Sequence, residues 1–182
     1  MGKITLILFL LFFSAGSFGQ DLINGERKGL VQVTASIYPS KMLNHAISNS
    51  YVAGHANYYF TDGYSFRGEI MHYIDAQGEN RYIDKHTQLQ AAFGRHFPMK
   101  RFDPYVYASV GLAGISLTEQ PHKYFQPVAG IITGGNFQFS RYFYLFLEIE
   151  YQHMQDPLHR SPLDQLFFSG GLGIQFPTRK SD

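Results

Sequence analysis

The 182-residue sequence contains no cysteine, and this absence narrows what the chain can do. It excludes disulfides, a thiol nucleophile, thiolate metal ligands and the lipidated cysteine of a bacterial lipoprotein. Any anchoring in a cell envelope must therefore come from the fold itself. Net charge is also nearly absent, because 15 basic residues face 14 acidic ones. The sequence therefore has no basic excess of the kind that binds nucleic acid.

Long apolar runs are missing after the first residues of the chain. Residues 1–20 begin with the basic Lys3, continue through the apolar stretch Ile4–Phe13 and end in small residues. This order predicts a secretory signal peptide at 1–19, cleaved after Gly19. The stretch is shorter than the ~20 residues that a spanning helix needs. Residues 20–28 are then predicted to form a periplasmic segment.

Motifs for common chemistry are absent as well. The sequence has no glycine-rich phosphate loop, nucleotide-binding motif or hydrolase elbow. Its eight histidines show neither His-x-His nor His-x-x-x-His spacing. A metal site would have to be assembled over long range. We therefore predict no catalytic residue, no cofactor and no metal.

The sequence does contain strands with two contrasting faces, and the last one, at 165–176, is the clearest. Side chains alternate along a strand, so one face carries large apolar residues such as Phe168, Leu172 and Ile174. The other face carries small or polar residues such as Ser169 and Gln175. A soluble sheet would place charged residues on the polar face. Glycine, serine and glutamine are instead typical of a crowded barrel lumen.

The same two-residue period recurs along the chain and predicts eight strands. They are placed at 29–38, 50–61, 65–74, 86–97, 104–116, 127–139, 142–153 and 165–176. Each is near the ~9–11 residues that cross a bilayer at a tilt. The sequence thus predicts an all-β fold, an eight-stranded antiparallel up-and-down transmembrane β-barrel over 29–176, followed by a polar tail at 177–182.

Connections between these strands alternate in length, as in a barrel with short periplasmic turns and longer external loops. Matching the faces predicts the hairpin registers. Phe60 is paired with Phe66, which places Asn57 opposite Glu69. Phe97 is paired with Pro104, and Phe139 with Phe143. Five tyrosines near strand ends are assigned to the aromatic girdles at the membrane interfaces: Tyr38, Tyr51, Tyr105, Tyr142 and Tyr151.

Polar residues on the inner faces predict a packed lumen, because eight strands leave just enough interior for side chains to fill. The predicted network consists of six residues: His55, Asn57, Arg67, Glu69, Glu148 and Glu150. A buried charge is costly unless it is paired and hydrogen-bonded, so Arg67 is expected to neutralise the carboxylates. Glu148 and Glu150 alone would also fit a catalytic carboxylate pair.

The chain resembles the small outer-membrane β-barrel superfamily typified by the OmpA transmembrane domain and OmpX, including proteins described only as outer-membrane or porin-family barrels. The resemblance rests on residues 57–68 (NYYFTDGYSFRG), on 102–112 (FDPYVYASVGL) and on the closing strand that ends at Phe176. It implies an integral barrel in the outer membrane of a Gram-negative bacterium. One departure is the polar tail, since chains of this family usually end on the terminal aromatic residue.

The function favoured by the sequence is a non-enzymatic structural or interaction barrel that contacts outer-membrane lipid and lipopolysaccharide, or another envelope protein. A lipid A-modifying enzyme is one alternative. His153 on an outward face is similar to the histidine of PagL-type deacylases, but Gln155 stands where their nucleophilic serine is expected. A soluble lipocalin-type ligand-binding barrel is another. No residue argues for a subunit role in a secretion machine.

Overall fold

The structure, a computed structural model, describes residues 27–45, 47–77, 82–119, 122–159 and 161–178. The predicted signal peptide at 1–19, most of the segment at 20–28 and residues 179–182 of the predicted tail lie outside the described residues. Among the described residues, no helix is long and apolar enough to cross a bilayer.

Eight antiparallel strands form one closed sheet, in which each strand pairs with the next and the last pairs with the first. Their bounds are β1 Leu30–Met42, β2 Ser48–Tyr59, β3 Tyr64–Gln77, β4 Ile83–His96, β5 Phe102–Leu117, β6 Tyr124–Gln138, β7 Phe143–His153 and β8 Gln165–Pro177. The predicted eight-stranded antiparallel up-and-down β-barrel is thereby confirmed.

The two ends of the barrel differ in their connections. The end that we call the turn end holds the hairpins at 60–63, 97–101 and 139–142 and both ends of the described chain. The loop end holds the other four connections. Strands run further toward the loop end than predicted; β1 reaches Met42, for example, and pairs Lys41 with Ser48. The lumen at this end holds a cluster of packed apolar side chains.

Outward and inward faces alternate as predicted. On β7, Leu147 is 71% exposed whereas the neighbouring Glu148 is 2% exposed. Large apolar side chains cover the outside of the barrel, and polar side chains are buried inside it. This distribution is the reverse of that in a soluble protein, where apolar groups leave water by moving inward.

Two of the three predicted hairpin registers are confirmed. Ala91 lies opposite Val110 on β4 and β5, as the pairing of Phe97 with Pro104 requires. Gly134 lies opposite Glu148 on β6 and β7. Small residues face large ones in this arrangement.

Glycine is needed where a large ring lies across the neighbouring strand. A Cβ at Gly94 would lie 2.2 Å from Cδ1 of Tyr107, and one at Gly173 would lie 2.2 Å from Cζ of Tyr144. Both rings therefore occupy the space that a side chain would fill.

The first predicted register is wrong by two residues. Phe66 pairs with Tyr58 rather than Phe60, and Asn57 lies opposite Arg67 rather than Glu69. The connection is wider than a three-residue turn, and within it the Asp62 carboxylate accepts the backbone N–H of Arg27 at 2.7 Å. A shift of two residues leaves the faces of both strands unchanged.

The predicted girdle tyrosines divide between the two faces. Tyr142 and Tyr151 point outward, but Tyr38, Tyr51 and Tyr105 are buried in the lumen. The prediction was wrong for these three because nearness to a strand end does not decide which face a residue occupies. Their position along the strand does, since alternate residues share a face.

Near the loop end, apolar side chains and tyrosine rings form a cluster in the lumen, beside buried polar residues such as His86 and Gln165. We call this group the loop-end cluster; its buried members are Tyr38, Met42, Tyr51, Ala53, Met71, Tyr73, Ile83, Ala113, Ile115, Leu117, Val128, Met154, Leu163 and Phe167. Met154 and Leu163 come from the connection between β7 and β8, so this loop folds back over the opening. The cluster closes the lumen at that end.

The contact between β1 and β8 differs from the other strand pairs. Its ladder runs from Leu30 to Val33 and resumes at Ser40, with no paired rows between among the described residues. Pro39 in this stretch has no N–H to donate. The Ser36 hydroxyl donates instead to the carbonyl oxygen of Gly170 at 2.9 Å. This seam therefore has fewer backbone hydrogen bonds than its neighbours.

Candidate functional site

Arg67 lies at the centre of the polar lumen and projects inward from β3. Its Nη1 and Nη2 each donate to Oε2 of Glu148, both at 3.0 Å. Its Nε donates to Oδ1 of Asn57 at 2.9 Å, across the hairpin. The guanidinium also lies 4.6 Å from the ring centre of Tyr107. Charge, hydrogen bonds and a cation–π contact thus hold the buried cation in one position.

Glu148 is hydrogen-bonded on both carboxylate oxygens. Besides the guanidinium, the Tyr105 hydroxyl donates to Oε2 at 2.8 Å. The hydroxyls of Tyr38 and Ser169 donate to Oε1 at 2.9 and 3.0 Å. The donors come from four strands, so this one carboxylate connects opposite sides of the barrel. A carboxylate with this many donors is stabilised as an anion and is poorly suited to accept a proton in catalysis.

Glu69 and His55 lie beside this pair and are held less tightly. Oε2 of Glu69 is 3.6 Å from Nη1 of Arg67 and 3.9 Å from Nδ1 of His55. Neither Glu69 oxygen accepts a hydrogen bond of standard geometry within the described part of the chain. Nδ1 of His55 is 3.1 Å from the Tyr38 hydroxyl, and because that hydroxyl donates its proton to Glu148, the histidine is the donor. Glu69 and His55 are therefore the more loosely bound members of the predicted network.

Glu150 has partners other than the arginine that the sequence suggested. Its Oε1 accepts hydrogen bonds from the side-chain amides of Gln90 and Gln152, at 2.8 and 2.9 Å. Gln88 in turn donates to Gln90 at 3.0 Å. Neutral side-chain amides therefore bind Glu150, whereas the guanidinium of Arg67 binds Glu148.

Sequence reasoning missed the two tyrosines that bind Glu148. Tyr38 and Tyr105 were assigned to the interface because of their place near strand ends. A signal was nevertheless present, because the predicted pairing of Phe97 with Pro104 sets Tyr107 opposite Gly94 on the inner face, and Tyr105 is two residues from Tyr107. Residues two apart on a strand share a face.

A second polar cluster, also missed, lies near the turn end. The Ser65 hydroxyl is 2.9 Å from Nε2 of His96, and Nδ1 of His96 is 2.9 Å from Oδ2 of Asp103. Asp103 also pairs with Arg27 at 2.6 Å, which joins the start of the described chain to the lumen. The signal available was strand parity, since Ser65 shares the face of Arg67.

Ser65, His96 and Asp103 are linked in the order of a hydrolase triad, so the space around the serine decides whether a substrate could reach it. Ser65 is fully buried. Its hydroxyl oxygen is also 2.6 Å from the Tyr107 hydroxyl, which in turn lies 2.8 Å from Nε2 of His96. Tyr107 therefore occupies the approach that a substrate carbonyl would need. As it stands, the cluster links β3, β4 and β5 to the start of the described chain.

At the loop end, Asp156 organises the connection between β7 and β8. Its carboxylate accepts the Tyr82 hydroxyl and the backbone N–H groups of Leu158 and His159. Burial alone would raise the pKa of Asp156, but these hydrogen bonds favour the anion and bring the pKa below its ordinary value. The loop is thus fixed by a charged group.

The two positions considered for a deacylase, His153 and Gln155, lie at the loop end of the barrel. Nδ1 of His153 lies 2.6 Å from Oδ1 of Asp164, on the outside of the barrel. Gln155 lies in a bridge with Pro162. Within the described residues, no group of three or more histidine, cysteine, aspartate or glutamate side chains is arranged to hold a metal ion.

Comparison with known proteins was made by sequence and by structure. No family model matches the chain, and no curated protein matches its sequence. Among solved structures, Neisserial surface protein A (NspA) matches with a TM-score of 0.64 and 16% identity, over 84% of this chain and 100% of NspA.

Two proteins of Pseudomonas aeruginosa are also similar. The N-terminal β-barrel domain of OprF matches with a TM-score of 0.62 and 15% identity, over 84% of this chain and 100% of the domain. The outer membrane protein OprG matches with a TM-score of 0.57 and 12% identity, over 85% of this chain and 99% of OprG. The chain therefore has the same fold as these solved β-barrels.

Proposed function

We propose that this protein is a non-enzymatic integral barrel of the Gram-negative outer membrane, with a structural or interaction role. The observation that carries the proposal is the exposed apolar surface around the whole wall. Leu89, Val110 and Leu147 are 65%, 66% and 71% exposed on three different strands. A soluble monomer rarely exposes a continuous apolar surface of this extent. A bilayer covers such a surface, and a closed barrel pairs its backbone groups internally.

The same distribution argues against the lipocalin-type alternative. A soluble ligand-binding barrel needs a polar exterior and an interior with room for a ligand. Here the middle of the lumen is filled by the hydrogen-bonded layer around Arg67 and Glu148, and the loop end by the loop-end cluster. Both fillings are made by the chain's own side chains.

A lipid-modifying enzyme is disfavoured by the residues around its candidate groups. His153 has an acidic partner in Asp164, but the bridge at Gln155 supplies an amide where a deacylase requires a serine. In the buried cluster around Ser65, the Tyr107 hydroxyl lies within hydrogen-bond distance of the serine hydroxyl and blocks the approach of a substrate. We propose that both arrangements are structural.

Lipopolysaccharide is the partner that we propose for the loop end. Lys41, Lys85 and Lys123 are exposed there. Ammonium groups at the upper edge of the apolar band would meet the anionic groups of the outer-leaflet lipid. The loops themselves are the surface that we propose for another envelope protein.

Membrane fractionation of cells that express the full chain tests the location. We expect the protein in the outer-membrane fraction, with faster migration in unheated than in heated detergent samples, because a closed barrel resists unfolding by detergent. Recovery as a soluble periplasmic monomer would refute the proposal.

Planar-bilayer recording tests the filled lumen. Because side chains occupy the interior of an eight-stranded barrel, we expect no sizeable conductance from the wild-type protein. Stable, reproducible channel openings would show that the lumen is not closed by the packing described above.

A further inference from the structure

The two ends of the barrel carry different charge, although the net charge of the whole chain is only +1. Five exposed cationic side chains, which we call the turn-end rim, lie at the turn end: Lys28, Arg95, Lys100, Arg101 and Arg141. Among the described residues of that end, the exposed carboxylate is Asp62, and it already accepts the backbone N–H groups of Arg27 and Lys28.

The loop end has the opposite balance. Within the described part of this end, three exposed lysines are accompanied by four carboxylates that are at least partly exposed: Asp75, Asp84, Glu119 and Asp164. The excess of positive charge in the described barrel is therefore concentrated at the turn end. None of the five rim cations forms an ion pair with a carboxylate of the described residues.

An aromatic belt lies beside the rim on the outward face of the wall. Six of its members are Phe60, Tyr64, Phe93, Phe97, Tyr142 and Phe143. The Arg95 guanidinium lies 5.8 Å from the Tyr64 ring centre and 5.3 Å from that of Phe97. Arg141 lies 5.6 Å from the ring centre of Tyr142. These cation–π contacts hold the guanidiniums against the belt, pointing outward rather than into the lumen.

The belt indicates the height at which the rim lies in a membrane. Aromatic side chains form girdles at the boundary between hydrocarbon and headgroups, so the adjacent cations lie at the level of the lipid phosphates. A guanidinium matches a phosphate geometrically, because it can donate two parallel hydrogen bonds. Basic residues near an anionic membrane surface attract it electrostatically.

We infer that the turn-end rim binds the headgroups of anionic phospholipids in the leaflet that it contacts. This inference rests on the proposed membrane location. An acidic protein would also complement the charge, but the cations are held against lipid-facing rings at the side of the wall. Lipid is the partner that reaches this position from the side.

The test uses vesicles of phosphatidylcholine that contain a trace of spin-labelled phosphatidylglycerol or spin-labelled phosphatidylcholine. Electron spin resonance gives the relative association constant of each lipid with the folded full chain. For the wild type we expect a several-fold preference for phosphatidylglycerol, since one favourable contact with a surface cation is worth about fivefold in affinity. The preference should shrink at high salt, because ions screen exposed charges.

Two matched triple variants separate the rim from general charge. Arg95→Gln, Arg101→Gln and Arg141→Gln together should lower the ratio most of the way toward unity, with Lys28 and Lys100 left in place. Lys41→Gln, Lys85→Gln and Lys123→Gln together remove the same charge from the loop end, where carboxylates accompany the lysines, and should lower the preference far less. Heat-modifiable migration checks that each variant is folded.

The outcomes distinguish the two proposals. A wild-type protein that inserts but shows a ratio near unity overturns the lipid assignment, and this is the result expected if the rim recognises an acidic protein. An equal loss in both triple variants overturns it too, because the effect would then reflect charge alone. A protein that never inserts overturns the membrane location, and the lipid assignment with it.

Discussion

The layer around Arg67 and the loop-end cluster fill the same lumen by different means. In the layer, Glu148 receives hydrogen bonds from one guanidinium and three hydroxyls. In the cluster, Met71, Ile115 and Phe167 pack as in the core of a soluble protein. The layer depends on the pairing of its charges, and the cluster depends on the fit of its side chains. Loss of one partner should therefore be much more harmful in the layer than a small loss of volume in the cluster.

Arg67→Met should produce the largest effect. The substitution keeps an unbranched side chain but leaves Glu148 without its cation, and removing one partner of a buried pair costs about 3–5 kcal/mol. Urea unfolding in detergent micelles measures the change in the free energy of unfolding. The exposed Arg101→Met, at the turn end, is the control and should change it by less than about 0.5 kcal/mol.

The double variants identify the partner of Arg67. Glu148→Gln should relieve part of the Arg67→Met defect because it removes the stranded charge. Glu150→Gln should simply add to it, since Glu150 is bound by Gln90 and Gln152 instead. A neutral Arg67→Met, or additivity with Glu148→Gln, would show that the pair does not stabilise the barrel.

Leu147→Lys probes the outside of the wall at the height of the layer. Leu147 and Phe125 are equally exposed, at 71%, but Phe125 lies near the loop end of β6. A lysine facing lipid costs roughly 2–4 kcal/mol at the midplane and about 0–1 kcal/mol near the interface. Folding yield and urea unfolding in lipid vesicles should therefore be impaired far more by Leu147→Lys than by Phe125→Lys. Equal yields would mean that the two positions do not differ in membrane depth.

Ile115→Val tests the loop-end cluster by removing one methylene group from a fully buried position. The expected loss is about 0.5–1.5 kcal/mol, well below that of Arg67→Met. The free energy of urea unfolding gives the value. The matched control is Ile37→Val on the outside of β1, where a methylene group facing lipid should matter less. A loss as large as that of Arg67→Met would remove the distinction between the two regions.

Strand parity explains how much of this comparison could be predicted from the sequence. Alternation alone placed Arg67, Glu69, Glu148 and Glu150 on the inner face, and the closed eight-stranded fold followed from the number and spacing of strands. Alternation gives the face of a residue but not its depth or its partner. Arg67 binds Glu148 rather than Glu150, which lies two residues further along β7. This selection depends on how far the strands are shifted relative to one another around the barrel, which alternation does not give.

Two other features could not be read locally. The first predicted register was wrong at a connection where Asp62 binds the backbone N–H of Arg27, a contact between segments far apart in the chain. The loop-end cluster combines side chains from loops and strands, so the pattern of a single strand does not predict it. Both features involve tertiary contacts that a local sequence pattern does not contain.

The most local predicted effect concerns Asp156, which fixes the loop that covers the loop-end cluster. Since hydrogen bonds lower its pKa in the folded protein, the stability that Asp156 contributes is present above its unfolded pKa of about 3.9 and is lost as the pH falls through the folded value. Asp156→Asn should lose roughly 0.5–1.5 kcal/mol of that local stability at neutral pH, because an amide oxygen accepts these bonds less strongly. Hydrogen exchange of residues 154–164 measures the opening of the loop. The wild-type loop should become less protected in acid, whereas Asp156→Asn should be poorly protected throughout and respond little to pH. Asp75→Asn, an exposed carboxylate on β3, serves as the control and should leave the loop unchanged. If the wild-type loop kept its protection in acid, the Asp156 carboxylate would not be what closes it, and the apolar packing of Met154 and Leu163 would have to hold the loop alone.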